Sequence, residues 1–592
     1  NDIVFGGSYG GFLTRYDHKR ESDRAINIWP DNPMGHGAED MKYRFQWNFP
    51  IIFSKHNSNR LYTFSQSVHV SENEGASWKV ISPDLTRNDP EKLKSSGGPI
   101  TQDNTSVEYY CTIFAAQESA LQEGLLWVGS DDGLVHVTKD GGENWENVTP
   151  KDLEETLINA IEVSPHDPAT AYIATTRYKF NDKAPAIYKT SNYGKSWKNI
   201  SEGLPYGAFT RVVREDKIRK DLLYLGTEAG LYLSWDGGKK WESFQLNMPV
   251  TPINDLMVHK GDLILATSGR SFWILDNLNL LSQFDVMRIA KLYEPEELIY
   301  GAWGSALNGN SSNGTSTFEG VNPANGVVLY YEFPEEPKGA VALEITDATG
   351  KVINSLSSEA KKGFKSYPGG PGAAQKLPKK KGLNRFVWNT RHATMPGVPT
   401  AYIEGGYSGH KVPPGTYTLK LSYGEEVLTT QAVIIDNPIY EMVEGQHETY
   451  DVFMGEMEAN LTAMHNTINQ LHKIHGELKA IVEDLESESL KKEGQELMDD
   501  LDAWDKEVVQ RKSKAYDDVE NFPNKFTAEY LFLINLTDSS IPRVNKSSRD
   551  RRIELDAQWE LFKKQADRWL SIALPSYNKK MWEAGIGAIK MK

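Results

Sequence analysis

Four carboxylates fall in polar segments between apolar runs: the adjacent pair Asp131 and Asp132 and Glu228 in short turns, and Asp84 in the long connection "SPDLTRNDPEKLKSSGGPITQDN". Two carboxyl groups on either side of a glycosidic bond can hydrolyse it. One is protonated as general acid and the other ionised as base or nucleophile, about 5–10 Å apart. These four are the candidate catalytic residues. Arg87, Arg177 and Arg270 fall in comparable segments. They are candidate ligand-binding groups, because a guanidinium grips an anionic oxygen pair through parallel hydrogen bonds. Sialidase chemistry needs three clustered arginines and a tyrosine nucleophile, and no spacing here supports that. The same residues also have a plain reading. Polar turns are what exposed loops are made of, and Asp131-Asp132-Gly133 has the composition of a hairpin turn.

Other chemistries find less support. His36 and His56 lie in polar loops without metal-ligand spacing, and the single cysteine, Cys111, excludes disulfides within the chain and cysteine-cluster metal sites. No metal and no cofactor are expected. "YPGGPG" (367–372) lacks the Lys-Ser/Thr of a phosphate loop, and "EAGIGAI" (583–589) follows a helical pattern that its glycine caps. With 65 basic against 81 acidic residues the formal charge is −16, which argues against nucleic acid as a partner. The short basic runs Lys379–Lys381 and "SSRDRR" (547–552) do not offset it. No apolar run reaches membrane-spanning length. Eight glycosylation sequons, at Asn104, Asn147, Asn199, Asn310, Asn313, Asn460, Asn535 and Asn545, read as chance matches in a chain rich in Asn, Ser and Thr.

The elements that must position the candidate turns recur. "LLYLGTEAGLYLS" (222–234) and "LLWVGSDDGLVHVT" (125–138) are strand–turn–strand units with β-branched and aromatic content, and related units start near residues 3, 61, 171 and 263. Four units lead into a box of the form [ST]-x-[DN]-x-G-x-x-W: "SENEGASW", "TKDGGENW", "TSNYGKSW" and "SWDGGKKW". The box residues are Asn73 and Trp78, Asp140 and Trp145, Asn192 and Trp197, and Asp236 and Trp241. Their chemistry is conformational. The Asp or Asn side chain accepts hydrogen bonds from its own turn, Gly takes a positive φ, and Trp folds its ring beneath the turn. Asparagine at two of the four positions keeps the turn bonds but is no acid. Repeats of this length suit the four-stranded blades of a β-propeller. In such a blade the boxes lie on one face, and the turns carrying the candidate carboxylates open on the other.

The expected fold is mainly β with a C-terminal α region. Residues 1–283 form propeller blades, six repeats of them, and 284–325 form a linker with a Gly/Asn/Ser-rich stretch at 307–326. Hairpin-rich strands at 326–438 suggest an immunoglobulin-like β-sandwich holding a long loop, "YPGGPGAAQKLPKKKG". From 439 to 592 apolar seams run Met454 to Leu485, Leu497 to Val508 and Leu555 to Trp569, predicting a helical bundle closed on its own core.

The boxes resemble the Asp-box, or bacterial neuraminidase repeat, of sialidases, xyloglucanases and sortilin-type propellers. Together with "RFQWNFPI" (44–51), "ISPDLT" (81–86), "GRSFWILDN" (269–277) and "PPGTYTLKL" (413–421), the chain resembles one bacterial family of large exported proteins, sortilin-like or glycosyl-hydrolase-like, over nearly its whole length. The resemblance implies an extracytoplasmic place and a protein or glycan ligand. It also implies further boxes upstream. The chain opens "NDIVFGGSYGG", without Met and already reading as a strand. We therefore expect an upstream chain or fragment that completes the propeller. Two functions follow: a binding or scaffold protein using the turn face, or a glycoside hydrolase with a carboxylate pair on that face.

Overall fold

The computed structural model describes residues 2–107, 109–284, 289–301, 323–539 and 542–590. Asn1, the sequons at Asn310 and Asn313 and most of the 307–326 stretch lie outside them. The chain divides into two compact units, Asn1–Gln283 and Phe284–Lys592. It is mostly β sheet with a C-terminal helical region.

The first unit is a succession of six antiparallel meanders. Sheet 1 comprises Ile3–Ser8, Phe12–Asp17 and Ser22–Ala25; sheet 2 comprises Ile51–Phe53, Leu61–Phe64, Val68–Ser71 and Lys79–Val80. Sheet 3 comprises Ile113–Glu118, Leu126–Ser130, Val135–Thr138 and Glu146–Asn147. Sheet 4 comprises Leu157–Val163, Ala171–Arg177, Asp182–Thr190 and Lys198–Asn199. Sheet 5 comprises Thr210–Glu215, Leu223–Thr227, Gly230–Ser234 and Glu242–Ser243, and sheet 6 Ile253–His259, Asp262–Thr267 and Phe272–Leu275. In the four-stranded sheets the strands pair in chain order, and sheets 3 to 6 pack through their first strands in turn. This is the connectivity of propeller blades.

Burial explains the strand sequences. Leu126–Ser130 and Leu223–Thr227 are buried along their whole length, so they read as continuous apolar runs rather than alternating ones. Each fourth strand has only two residues, both exposed, as in Lys79–Val80 and Glu242–Ser243. A short, polar or charged edge offers little to a stray strand. Glycines at matching places in the second strands seat the next sheet: a Cβ at Gly226 would lie 2.7 Å from Val212 and 2.8 Å from Ile253. Gly226→Val should therefore lower stability by about 1–3 kcal/mol through overpacking. Urea unfolding checks this, and an unchanged midpoint would show that the seam has slack.

The four boxes share one geometry. The hydroxyls of Ser71, Thr138, Thr190 and Ser234 each accept from the backbone N–H of Gly75, Gly142, Gly194 and Gly238 at 2.9–3.0 Å. They donate to Asn73, Asp140, Asn192 and Asp236. Each Oδ1 then accepts the N–H four residues on, at 2.9–3.0 Å. These bonds hold the Asp140 carboxyl down at about 2, chiefly the N–H of Asn144, so it is no proton donor. The tryptophans reach across repeats: each indole Nε1 donates to a backbone carbonyl of the preceding repeat. Trp78 reaches Ile26, Trp145 Ile81, Trp197 Val148 and Trp241 Ile200, at 2.6–2.8 Å. A Cβ on the box glycine would strike the same four residues. The box ties successive sheets together.

In the second unit Lys291–Leu292, Val327–Phe333 and Gly382–Trp388 form a three-stranded sheet. Leu298–Ile299, Glu426–Ile435, Gly415–Tyr423, Val341–Thr346 and Val352–Ser357 form a five-stranded one, in that order. Their inner faces share a core that includes Leu329, Phe386, Trp388, Ile345 and Leu419. Two corrections to the expected boundaries follow. Residues 291–299, expected as linker, supply a strand to each sheet, because Leu292 and Leu298 have apolar side chains that pack into the core there. Met395, Val398, Ile403 and Tyr407, expected in the sandwich, pack instead with the helices.

Helix α1 is Leu278–Gln283, at the end of the first unit. The C-terminal region has α2 (Gln446–Val482), α3 (Glu488–Val508), α4 (Phe526–Thr537), α5 (Lys546–Arg568) and α6 (Leu574–Glu583). Met454, Leu461, Ile468 and Leu478 on α2 enter one core with Leu501, Trp504, Trp559 and Tyr577. Leu485, expected within the first helix, lies past its end, in the turn before α3. No membrane-spanning helix occurs among the described residues.

Candidate functional site

The turns between second and third strands, together with the connections leading into the next sheet, gather at the ends of the strands away from the boxes. The long connection between sheets 2 and 3 is anchored there. Leu85 N–H donates to Gln66 O in the sheet 2 turn, and Arg87 N–H to Asp132 Oδ2 in the sheet 3 turn, at 2.8 Å. Farther along, Tyr110 O–H donates to Glu155 at 2.6 Å, and Lys92 pairs with the same carboxylate. The connection therefore lies over the turns rather than standing clear of them.

That placement decides the state of each candidate carboxylate. Asp131 is 5% exposed and Asp132 0%. An exposed hairpin turn was one reading of this pair; the covering connection makes it a buried one. Asp131 accepts from Thr112 N–H at 2.9 Å and from the Thr112 hydroxyl at 2.7 Å. Burial nevertheless pushes its carboxyl up to about 7, opposed by those two bonds. Asp132 accepts from Ser130 Oγ at 2.5 Å as well as from Arg87 N–H. Asp84 is more open. It accepts from Arg44 Nη2 at 2.7 Å and from the N–H and hydroxyl of Thr86. Arg44 is itself buried and also donates to Cys111 O. Glu228, in the sheet 5 turn, takes both Nε and Nη2 of Arg211, at 2.9 and 2.6 Å. Every candidate acid is thus held by donors of the chain itself.

The chain matches no family model and no curated protein. It is similar in structure to a YCF48 bound to D1 peptide, with 12% identity and a TM-score of 0.29 over 50% of this chain and 83% of that one. A GH74 xyloglucanase from Xanthomonas campestris is similar at 13% identity and TM-score 0.33, covering 74% of this chain and 72% of its own. BamB from Moraxella catarrhalis is similar at 8% identity and TM-score 0.30, over 46% and 69%.

The candidate arginines are held in different ways. Arg87 spends its Nε on Asp132 O at 2.7 Å. Arg177 donates to Glu155 O and pairs with Glu154 and Asp182. Arg270 is exposed at the sheet 6 turn, where its carbonyl accepts from Trp273. Sequence reasoning missed the group that does assemble. Tyr178 stacks on Phe209 at 5.5 Å, the Arg211 guanidinium covers Phe209 at 5.2 Å, and Arg177 covers Phe180 at 5.4 Å. Tyr178 and Phe180 remain exposed in the sheet 4 turn, beside the Arg211–Glu228 pair. The signal was the "RYKF" turn next to "FTRV", an aromatic–arginine pairing that neither stretch reveals alone.

On the box side an open groove of about 850 Å³ is lined by Arg60, Glu72, Trp78, Glu123 and Asp140. Arg60 is already committed to Glu72 and Glu123 there.

Proposed function

We propose that the protein is an extracytoplasmic binding or scaffold protein, of the Asp-box, sortilin-like kind, that engages a protein or glycan on its turn face. The two-sheet region of the second unit is read as its immunoglobulin-like sandwich. The observation that carries the binding reading is the burial of Asp131 and Asp132 beneath the sheet 2–3 connection. A glycosidase needs two carboxyl groups that touch the sugar. Of the four candidates only Asp84 and Glu228 have side chains that solvent reaches, Glu228 half-buried, and each is paired with an arginine. Recognition asks for less: rigid aromatic and guanidinium groups at a surface, which are the types that dominate contact energies. Tyr178, Phe180 and Arg211 supply them.

Affinity electrophoresis against a panel of soluble polysaccharides, and crosslinking in extracts of the source cells, should detect a partner. Tyr178→Ala and Arg211→Ala should each weaken it at least tenfold, the loss usual for a contact residue worth more than about 1.4 kcal/mol. Release of new reducing ends from a polysaccharide, abolished by Asp84→Asn and Glu228→Gln, would instead establish the hydrolase.

A further inference from the structure

Asp451 and Glu458 stand two turns apart on one face of α2, and the connection from Trp388 to Gly415 lays two imidazoles against them. The imidazoles are fixed by backbone. Arg391 and Lys411 form an antiparallel bridge, and His392 N–H donates to His410 O at 3.0 Å. The rings stack with centroids 4.4 Å apart and planes at 19°. Gly409 permits this approach, since a Cβ there would lie 2.6 Å from His392 Cβ. Glu458 Oε1 accepts His410 N–H at 2.7 Å and sits 3.0 Å from His410 Nδ1. That bond turns the other nitrogen, Nε2, towards Asp451 Oδ1, 3.0 Å away. His392 Nε2 approaches the same oxygen at 3.5 Å, and although buried it has no hydrogen-bond partner.

We propose that His392, His410 and Asp451 form a binding site for a divalent transition-metal ion, Zn²⁺ fitting best, with Glu458 orienting His410 from behind. The three ligand atoms lie within 4.8 Å of one another. A tetrahedral ion with bonds of about 2.0–2.2 Å sets its ligands roughly 3.4 Å apart, so small side-chain shifts close the site. Two imidazoles and one carboxylate suit Zn²⁺, Co²⁺ or Fe²⁺ better than the all-oxygen preference of Ca²⁺ or Mg²⁺. A carboxylate on the far nitrogen of a ligating histidine is the usual device for fixing its ring. Charge also balances, with Asp451 and Glu458 against a dication. Of the neighbouring cations, Arg391 is paired with Asp538 at 2.7 Å and Lys411 donates to Gly301 O. Asp451 is 29% exposed, so solvent reaches its carboxylate and a water can serve as fourth ligand. The site takes all four of its groups from the 389–458 segment, at separations that match no ligand motif, hence its invisibility in the sequence.

The test uses the full chain, stripped with EDTA and then titrated with Zn²⁺ by calorimetry and with Co²⁺ by visible absorption. One ion per chain is expected, with the intense bands of four- or five-coordinate Co²⁺. His392→Ala and Asp451→Asn should abolish binding, and Glu458→Gln should weaken it about 10–100-fold. Circular dichroism identifies any variant that has not folded, and the native cobalt spectrum then decides alone. No bound ion, an octahedral aqua-type spectrum, or undiminished binding in folded His392→Ala and Asp451→Asn overturns the proposal. The first of these results would leave His410 as an imidazolium bridging two carboxylates.

Discussion

Trp241→Ala lowers the stability of the first unit by about 3–5 kcal/mol, the range for deleting a buried indole. The ring is 7% exposed and belongs to the core that sheets 4 to 6 share. Its Nε1 donates to Ile200 O at 2.7 Å, so truncation also strips a partner from a buried-side carbonyl. Trp241→Phe keeps most of the apolar contact and loses the bond, and should cost about 1–2 kcal/mol. Ser234→Ala in the same box breaks only the turn, where the hydroxyl accepts from Gly238 N–H, and should cost about 1 kcal/mol. The ordering distinguishes two roles for the box. A clamp between repeats ranks Trp above Ser by a wide margin, whereas a purely local turn makes the two comparable. Urea unfolding followed by far-UV circular dichroism measures it, and equal losses for Trp241→Ala and Ser234→Ala would sink the clamp.

That pair of roles also explains what a reader of the sequence can recover. The box recurrence is visible because its hydroxyl, carboxyl and glycine bonds close within four residues. The partner of each indole is not, since Trp145 bonds a carbonyl 64 positions earlier and Trp241 one 41 positions earlier. Strand pairs such as Leu126–Ser130 with Val135–Thr138 follow from composition and a two-to-four-residue polar break. Helix α4, "FTAEYLFLINLT", escaped because it is apolar on most sides and carries no seam; eight of its residues are buried. The candidate turns could be located from the strand pattern, but their burial could not. It depends on Arg87 and Thr112, at the two ends of an insertion, both reaching the same Asp131-Asp132 turn. Local patterns report bonds along the chain, and function here rests on bonds across it.

Asp131 turns that hidden burial into a measurable pH dependence. Its carboxyl is raised from an ordinary 3.8 to about 7 by burial, against the N–H and hydroxyl of Thr112, which favour the ion, and with the charge of Asp132 adding to the rise. Between those two values the native state keeps the proton and the unfolded chain releases it. The unfolded state then binds fewer protons, so stability falls as pH rises. The contribution is whole below about pH 4 and lost by about pH 7, for a total of at most ~4 kcal/mol. Asp131→Asn removes this slope. Its amide oxygen still accepts from Thr112 N–H, its NH₂ donates to the Thr112 hydroxyl, and no charge needs burying. The variant should therefore gain on the parent steadily from pH 4 to pH 7 and be the more stable protein at pH 8. Urea midpoints for the two proteins across that range give the difference curve directly. Parallel curves would mean that Thr112 holds Asp131 ionised throughout. In that case only its inaccessibility would set the turn apart from a catalytic one. A rising difference confined to this window, with no loss of ligand binding in the variant, makes Asp131 a group that the fold carries at a cost, protonated below about pH 7 and not needed for recognition.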